Sequence, residues 1–289
     1  MAEASSITHQ QWLKQSATEF NSLSGTASLD ARVLLSHCLD KPLSYLLAWP
    51  DRVISSSDLV QLDSFKARRL AGEPIAYITG FREFWSMNFK VTSDVLIPRP
   101  ETEILVEWAL QNISSLKHDV KILELGTGSG AIAVALASEN PNLHITATDI
   151  SANALDIASE NALSNHCPNI KFSQGSWFDC VSKVSFDLIL SNPPYVAPGD
   201  PHLSEGDLPY EPMGALVASD NGLSDIQNLL LNAKNFLFSG GWVGIEHGYN
   251  QGESVREIMQ VNGYHQICTI QDLADIDRIT VGQWRDNNE

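Results

Sequence analysis

The spacing of apolar and polar positions changes character near residue 120, which predicts two different kinds of structure in one chain. Between residues 7 and 72, apolar side chains such as Trp12 and Phe20 recur at helical spacing, and Gly72 follows a run that suits a helix end. We therefore predict a small all-α domain at the N-terminus, with bounds of 1–80.

The segment after the helical part mixes aromatic and polar residues over 84–91, a pattern typical of one arm of a β-hairpin, with 86–88 near its middle. We assign 81–99 to a β-hairpin linker. Pro100 suits the first position of a helix, and Glu101 and Glu103 suit the positive end of its dipole, so a helix is predicted through 104–110.

From Lys121 onward, short apolar runs alternate with helical patterns. The predicted strands are 122–125, 144–148, 170–173, 186–190, 242–246, 265–270 and 278–283. The predicted helices are 129–138, 152–163, 223–238 and 251–261. Such alternation is typical of a parallel sheet with right-handed crossovers and helices on both faces, a Rossmann-like α/β domain assigned to 100–289. The last two strands are joined by a short polar linker and should pair antiparallel.

Composition narrows the functional classes. The chain has 289 residues, 43% of them hydrophobic, which is enough for a sizeable core. Its formal net charge of −17 argues against a non-specific nucleic-acid binder, because phosphate contacts need clustered Lys and Arg. The densest basic cluster, 66–69, is interpreted as the solvated face of a helix.

Neither a metal site nor a membrane segment is predicted. The four cysteines lack C-x-x-C spacing and the eight histidines lack ligand spacing. Four free thiols suit a reducing cytosol. The N-terminus has no apolar signal core, and no apolar stretch approaches the roughly 20 residues that span a bilayer. We expect a soluble cytoplasmic protein with no membrane partner.

A glycine-rich loop at 124–130 joins the first strand of the alternating part to its helix, where glycines allow a tight turn and close approach of a ligand. Asp149 ends the next strand, 19 residues after Gly130 (149 − 130), where an acidic side chain accepts hydrogen bonds from ribose hydroxyls. Gly126, Gly128 and Ala131 also satisfy the dinucleotide pattern, so a nicotinamide cofactor is an alternative. Against it, no second glycine-rich turn follows the strand 186–190.

The tetrapeptide Asn192-Pro193-Pro194-Tyr195 follows a buried strand and carries the most specific chemistry. Its prolines stop the strand and stiffen the backbone. Pro193 offers a carbonyl but no N–H, Asn192 adds a side-chain carbonyl, and Tyr195 adds an aromatic face. Together they could hold a planar –NH2 group, although a proline-terminated loop with a capping Asn is the alternative. Beside a ribose-bearing cofactor, such a clamp indicates S-adenosylmethionine and N-methylation.

Trp177 follows the third strand of the alternating part. In such sheets this loop lies over the adenine, so an aromatic side chain there could stack on the base. An ordinary core tryptophan is the alternative interpretation.

Several segments together resemble the peptide chain release factor glutamine N5-methyltransferases of the HemK/PrmC family. The matching segments are 73–80, 82–85, 97–103, 124–130, 191–195, 210–212 and 246–248, and the resemblance covers essentially the whole chain. The tetrapeptide is shared with other amino-methyltransferases, whereas 97–103 is more particular to this family.

The resemblance implies a helical domain that recognises the release factor, a hairpin linker and a seven-stranded S-adenosylmethionine-dependent methyltransferase domain. The implied reaction methylates N5 of the glutamine in the Gly-Gly-Gln loop of class I release factors and modulates translation termination. The implied partner is the release factor, with no direct nucleic acid, and the protein is expected to be a monomer that uses no metal.

The family pattern also implies the site. The residues implied to contact S-adenosylmethionine are Gly126, Thr127, Gly128, Ser129, Gly130, Asp149, Trp177 and Asn192. The substrate glutamine would be held by Asn192, Pro193, Pro194 and Tyr195, of which Asn192, Pro193 and Tyr195 are the predicted catalytic residues. We expect Arg99, Glu101 and Glu124 to line the pocket and His247 to be structural.

Two positions depart from the family pattern. Pro209 stands where an arginine is expected, and 274–278 lacks a glycine that is common there.

Three other functions stay open. The first is a nucleic-acid methyltransferase acting on adenine N6 or guanine N2, which would want a basic groove. The others are a non-catalytic binding module and a nicotinamide dehydrogenase.

Overall fold

The chain forms two compact units in this computed structural model, which describes residues 7–23, 25–114, 116 and 119–286. One unit comprises Met1–Gly80 with Pro201–Tyr210, and the other comprises Phe81–Asp200 with Glu211–Glu289. The prediction from sequence placed 201–210 in the methyltransferase part and treated the hairpin as a separate linker. The structure instead groups 201–210 with the helical unit and the hairpin with the sheet.

The first unit is built from helices that bury one apolar face each, around a core that includes Trp12, Phe20, Leu34 and Leu62. Its helices are α1 His9–Phe20, α2 Ala27–Leu39, α3 Leu43–Ala48, α4 Ser56–Leu70 and α5 Ile75–Thr79. Thr8 and Gln11 form a capping box that satisfies the first amides of α1. The predicted all-α character of this part is confirmed.

The segment 201–210 is held within the first unit by polar contacts. Buried Arg69 pairs with Asp30 at 2.9 Å, and its second terminal nitrogen lies 3.6 Å from Asp207. The Tyr210 hydroxyl donates to the carbonyl of Ala71. Pro209 lies between these contacts, in the short 3-10 helix Leu208–Tyr210, so the departure from the family pattern falls in this unit.

The second unit begins with a hairpin of β1 Phe81–Phe84 and β2 Met87–Lys90. The chain reverses at Trp85 and Ser86, whose φ angles of 53° and 56° are typical of a type I′ turn. The reversal therefore falls inside the segment 84–91 that the sequence pattern assigned to one arm, because this turn uses no Asn or Gly signal. A hydrogen bond from the Trp85 N–H to Glu103 Oε1 (2.7 Å) supports it.

A seven-stranded sheet forms the centre of the second unit, which confirms the predicted fold class. Its strands are β3 Lys121–Leu125, β4 His144–Asp149, β5 Ile170–Gln174, β6 Phe186–Ser191, β7 Leu237–Glu246, β8 His265–Gln271 and β9 Asp277–Gln283. Their order is β5-β4-β3-β6-β7-β9-β8, and only β9 runs antiparallel to its neighbours. The predicted antiparallel pairing of the last two strands is confirmed.

Helices cover both faces of this sheet. Successive residues of β3 and β6 alternate between two apolar clusters, with Ile122 and Leu188 in one and Leu123 and Ile189 in the other. The helices of this unit are α6 Glu103–Ile113, α7 Ala131–Glu139, α8 Ala152–Ser164, α9 Ser219–Gly222, α10 Ser224–Ala233 and α11 Gly252–Val261. The helix predicted over 223–238 ends at Ala233, and β7 begins at Leu237 rather than at residue 242.

The turn between β8 and β9, in the segment that lacks the family glycine, contains Asp275 with φ of 60°. An L-residue in this left-handed region costs roughly 1–2 kcal/mol, and Asp is among the residues that tolerate it best. Asp272 stabilises the turn, because its side chain accepts from the N–H groups of Ala274 (2.8 Å) and Ile276 (3.1 Å) and from Arg278 Nε (2.9 Å).

Within the described ranges, no helix combines the length and the apolar character that crossing a bilayer requires. The same ranges contain no group of three His, Cys, Asp or Glu side chains arranged to hold a metal ion.

Candidate active site

A cavity of about 590 Å³ opens where β3, β4 and β6 end, all at their carboxyl ends. This is the edge at which open α/β sheets bind ligands. Among the predicted site residues, those lining the cavity are Gly126, Thr127, Gly128, Ser129, Asp149, Trp177, Asn192 and Pro194. Arg99 and Glu124 line it too. Gly130, Pro193, Tyr195 and Glu101 are not among the lining residues.

The loop after β3 is held by backbone hydrogen bonds, two to β4 and one within the loop. The N–H groups of Gly126 and Thr127 both donate to the carbonyl of Thr148 at 2.9 Å, and that of Gly130 donates to Thr127 at 2.8 Å. Gly126 has φ of +74°, and a Cβ built on it would lie 3.4 Å from the Trp177 ring. The positive φ therefore favours glycine there, whereas a Cβ would make only an ordinary van der Waals contact with the indole.

Asp149 ties this loop to the end of β4. Its Oδ2 accepts from the N–H of Gly128 and its Oδ1 from the N–H of Ser151, both at 2.9 Å. Each carboxylate oxygen has two acceptor sites, so one remains on each oxygen for a ligand in the cavity. The carboxylate is thereby fixed in place before any ligand arrives.

Glu124 supports the loop from beneath. Its Oε2 accepts from the Thr127 hydroxyl at 2.8 Å and from the N–H of Ala133 at 3.0 Å. Burial raises the pKa of this carboxyl to about 8, against the effect of both hydrogen bonds. Glu124 is therefore mainly neutral at neutral pH, and the Thr127 side chain is engaged with it.

Trp177 lines the cavity and also packs against the apolar cluster under α10. Burial raises the pKa of Asp225, and the nearby Trp177 side chain opposes this shift. Asp225 lines the cavity as well. One side chain therefore contributes both to the core and to the cavity wall, and its contact with a ligand stays a prediction.

Asn192 and Pro194 line the cavity, and Pro193 between them is buried. The Asn192 Nδ2 group donates to the Thr102 hydroxyl at 3.3 Å. With Nδ2 so engaged, Oδ1 is the end of the side-chain amide left for a cavity ligand.

Tyr195 is held by contacts on the side of β7. Its hydroxyl lies 3.5 Å from Glu246 Oε1, and its carbonyl accepts from Gln251 Nε2 at 3.0 Å. The ring packs against the second apolar cluster. Burial, followed by the nearby Glu246 charge, raises the pKa of the phenol, so Tyr195 stays protonated over the physiological range.

Glu246 ends β7 as a fully buried carboxyl. Burial raises its pKa to about 7, and the Thr102 hydroxyl opposes this shift. Its Oε2 has no hydrogen-bond partner in the part of the chain that the structure describes. This buried, only partly ionised acid therefore lies beside Tyr195, the last residue of the tetrapeptide.

Arg99 is fixed at the cavity by an ion pair with buried Glu211, whose Oε1 also accepts from the N–H of Ile97 at 3.2 Å. His247 engages the Thr280 hydroxyl through Nε2 (2.8 Å) and the Gly248 carbonyl through Nδ1 (2.9 Å). Because a carbonyl only accepts, Nδ1 carries the proton. Both nitrogens of His247 are thus used in structural contacts.

Thr102 and Asp225 are among the polar residues that line the cavity and that the prediction from sequence missed. Thr102 lies inside the 97–103 segment that carries the family resemblance. The sequence therefore indicated this segment as part of the site, but only its charged residues were predicted to line the pocket. Asp225 lies at the start of α10 with no motif around it, and no local pattern indicates its contact with Trp177.

Comparison with known proteins agrees with this geometry. Residues 11–80 match the family model described as the PrmC N-terminal domain, and 101–204 match the methyltransferase small domain. A release factor glutamine methyltransferase of Vibrio cholerae is 50% identical over 98% of this chain and 99% of its own length. One of Aliivibrio fischeri is also 50% identical, over 90% of this chain and 92% of its own length.

Among solved structures, a methyltransferase from Pyrococcus furiosus aligns with a TM-score of 0.53 at 20% identity, covering 78% of this chain and all of its own. At that identity the likeness concerns the fold. The 50% identity with the two bacterial relatives extends over nearly the full length of each chain, and this decides the family: the chain belongs to the release factor glutamine methyltransferases.

Proposed function

We propose that this protein transfers a methyl group from S-adenosylmethionine to the side-chain amide nitrogen, N5, of a glutamine in a class I release factor. The target is the glutamine of the Gly-Gly-Gln loop, and its methylation modulates translation termination. The names of the two relatives, both release factor glutamine methyltransferases, support this reaction.

The observation that carries the proposal is that one cavity joins the glycine loop, Asp149, Trp177 and Asn192. The loop and Asp149 are fixed by backbone hydrogen bonds, so the acceptors for a ribose are preorganised. The Trp177 indole offers an aromatic face for an adenine. These residues fit S-adenosylmethionine, which when bound supplies an electrophilic methyl group on a sulfonium.

The charges of the lining residues fit a cationic cofactor better than an anionic one. Asp94, Asp149 and Asp225 face the cavity, and Arg99 is already paired with Glu211. A dinucleotide would bring a pyrophosphate with two negative charges into this acidic cavity. This contrast favours a sulfonium cofactor over a nicotinamide dinucleotide.

The amide clamp would work through two acceptors. An amide nitrogen is a poor nucleophile, because its lone pair is delocalised into the carbonyl. Asn192 Oδ1 and the Pro193 carbonyl would accept from its two hydrogens and hold the nitrogen toward the methyl group. They would also stabilise the positive charge that develops on nitrogen, and positioning would supply much of the remainder.

Proton balance requires no strong base in this scheme. The new N–C bond forms as the S–C bond breaks, and the sulfur keeps that electron pair. The methylated amide is then cationic and very acidic, so it loses a proton to water. Tyr195, held at its hydroxyl and its carbonyl, would keep the tetrapeptide in place.

The helical unit would recognise the release factor, since 11–80 match the PrmC N-terminal model. We propose that the enzyme acts as a monomer, without a metal ion and without contacting nucleic acid directly. The net charge of −17 favours a protein partner over a phosphate backbone.

A methyl-transfer assay with labelled S-adenosylmethionine tests the function. Release factor, RNA and duplex DNA are offered separately at equal concentration. We expect label in the release factor alone. Label in either nucleic acid would favour the amino-methyltransferase of bases, and cofactor binding without transfer to any of the three would favour a binding module.

A further inference from the structure

The tetrapeptide 192–195 is held at both of its ends. Its prolines fix φ, but the direction of each carbonyl also depends on ψ, which the neighbouring chain must set. At the first end, Ser191 lies in β6 between β3 and β7, and its hydroxyl donates to the carbonyl of Leu125 at 2.6 Å. The direction of the Pro193 carbonyl therefore depends on what holds Tyr195 at the other end.

Gln251, at the N-cap of α11 and 7% exposed, holds Tyr195 by its backbone. The Nε2 group of Gln251 donates to the carbonyls of Tyr195 at 3.0 Å and Asn221 at 3.1 Å. Its Oε1 accepts from the N–H of Gly248 at 2.8 Å. Because a carbonyl only accepts and an N–H only donates, these three contacts admit one orientation of the side-chain amide. One buried amide therefore joins the tetrapeptide to α9 and to the loop after β7.

Gly222 presses on Tyr195 from α9. The residues of this turn, Asp220, Asn221 and Gly222, have φ of 53°, 55° and 83°, in the left-handed region that L side chains rarely adopt. A Cβ built on Gly222 would overlap the carbonyl oxygen of Tyr195 and would lie 2.8 Å from Gln251 Nε2. The left-handed turn thus brings a backbone against the tetrapeptide in a space that only glycine can occupy.

The residue after the tetrapeptide is held by the chain that leads into α9. The N–H of Val196 donates to the carbonyl of Leu216 at 2.9 Å, and its carbonyl accepts from the N–H of Ala218 at 3.0 Å. Ala218 directly precedes α9. The second end of the tetrapeptide is therefore fixed by backbone contacts from one continuous segment, 216–222, together with Gln251.

We propose that Gln251 and Gly222 are positioning residues for methyl transfer. They hold the backbone of Tyr195, and this sets where the Pro193 carbonyl points. The inference rests on the proposed function, in which that carbonyl accepts from the glutamine amide. Neither Gln251 nor Gly222 lines the cavity, so each acts through the tetrapeptide, and loss of either should lower kcat without weakening cofactor binding.

Steady-state methylation of release factor by the full chain tests Gln251. Gln251→Met keeps the length of the side chain but removes its donors and its acceptor. We expect kcat to fall by about ten-fold or more, whereas the Kd for S-adenosylmethionine, measured by calorimetry, should change less than about two-fold. Gln260→Met, at an exposed position of α11, is the matched control and should keep both values.

Two results for Gln251→Met would overturn the proposal. One is a kcat equal to that of the wild type. The other is a loss of cofactor affinity as large as the loss of kcat, because the effect would then reach the whole cavity rather than the tetrapeptide.

Gly222→Ala tests the close approach to Tyr195. Gly263→Ala is its matched control: Gly263 has φ of 85°, but a Cβ there would have its nearest neighbouring atom at 3.6 Å. Both variants therefore carry similar backbone strain, and only Gly222→Ala displaces the tetrapeptide. We expect kcat of Gly222→Ala to lie about ten-fold or more below that of Gly263→Ala, with a similar Kd for S-adenosylmethionine. Equal kcat in the two variants would overturn the role of Gly222.

Hydrogen exchange of two backbone amides, followed by nuclear magnetic resonance, tests the same positioning without catalysis. The Val196 N–H reports on the end of the tetrapeptide, and the Gly126 N–H, bonded to the carbonyl of Thr148 at 2.9 Å, reports on the glycine loop. In Gln251→Met, the Val196 amide should exchange at least about ten-fold faster than in the wild type, with Gly126 unchanged. An unchanged rate at Val196, or equal acceleration at both amides, would overturn the proposal.

The wild type alone supplies a further check, which does not depend on the folding of any variant. Its Val196 amide should exchange slowly without any ligand, since the contacts that hold it are all within the chain. Exchange as fast as that of an exposed loop amide would overturn the proposal. These exchange readouts require no methyl transfer, so a release factor left unmethylated by the wild type would contradict the proposed function alone.

Discussion

The backbone N–H of Gly128 donates to Asp149 Oδ2 at 2.9 Å, which fastens the loop after β3 to the end of β4. The same carboxylate holds the N–H of Ser151 at 2.9 Å. One acidic side chain thus shapes the glycine loop and offers its remaining acceptor sites to the cavity. Loss of the carboxylate should therefore damage cofactor binding in two ways.

Asp149→Asn is expected to weaken binding of S-adenosylmethionine by at least about ten-fold. The amide puts an NH2 group against one backbone N–H and removes acceptors for a ribose, and each lost hydrogen bond is worth roughly 0.5–1.5 kcal/mol. Isothermal titration calorimetry measures the change in Kd. Asp156→Asn, at an exposed position of α8, is the matched control. Equal affinity of Asp149→Asn and the control would argue against the role of Asp149.

Asn192→Ala should reduce kcat by about a hundred-fold, because removal of one preorganised hydrogen-bonding group at a reacting centre has costs of this size. The thermal unfolding midpoint should change little, since the side chain makes one long hydrogen bond to Thr102. Steady-state assays with release factor check the rate. Asn235→Ala, at an exposed position, should keep normal turnover. Near-normal kcat at saturating substrate in Asn192→Ala would remove the clamp from the mechanism.

Trp177 should bind the cofactor mainly through the face of its ring. Stacking of a base on an aromatic side chain is worth roughly 1–3 kcal/mol, so Trp177→Ala is expected to raise the Kd for S-adenosylmethionine by about ten-fold. Trp177→Phe keeps an aromatic face but loses the indole N–H near Asp225, and its loss of affinity should be smaller. Should Trp177→Ala bind as tightly as wild type, the residue would be a core tryptophan only.

Glu124 should make the protein less stable at high pH. Its pKa in the folded protein is about 8, above the ordinary value of 4.5. Between these values the folded state retains a proton that the unfolded state has lost, so the free energy of unfolding falls as pH rises. Glu124→Gln keeps an acceptor for Thr127 without the titration, and its stability relative to wild type should increase from pH 6 to pH 9.

Urea denaturation at both pH values measures this difference, with the slope m checked for constancy. Glu107→Gln, at an exposed position of α6, controls for the loss of one charge. The account of Glu124 fails if the stability difference between Glu124→Gln and wild type is the same at pH 6 and pH 9.

Much of the α/β unit could be predicted from sequence because its strands are apolar runs between clear helical patterns. The start of β7 could not, since Gly240 and Gly241 interrupt the strand and resemble a turn. The position of the hairpin reversal at Trp85 and Ser86 could not be predicted either, because its left-handed residues are supported by a distant carboxylate, Glu103, rather than by turn residues.

The candidate site also contains residues that the sequence could predict and contacts that it could not. The glycine loop, Asp149 and Asn192 are recognisable because each follows a strand whose end defines the cavity. The links from Asn192 to Thr102 and from Trp177 to Asp225 join residues 90 and 48 positions apart in the chain (192 − 102 and 225 − 177). The tetrapeptide motif identifies Tyr195 from sequence, but the short distance from Tyr195 to Glu246 depends on the pairing of β6 with β7.

Peptide mass spectrometry of release factor incubated with this protein and S-adenosylmethionine tests the central claim most directly. The account predicts an added CH2 on one peptide, located by fragmentation on the side chain of the glutamine in the Gly-Gly-Gln loop, and its near absence with Asn192→Ala. An unmodified glutamine, or a methyl group placed on another residue, would contradict it.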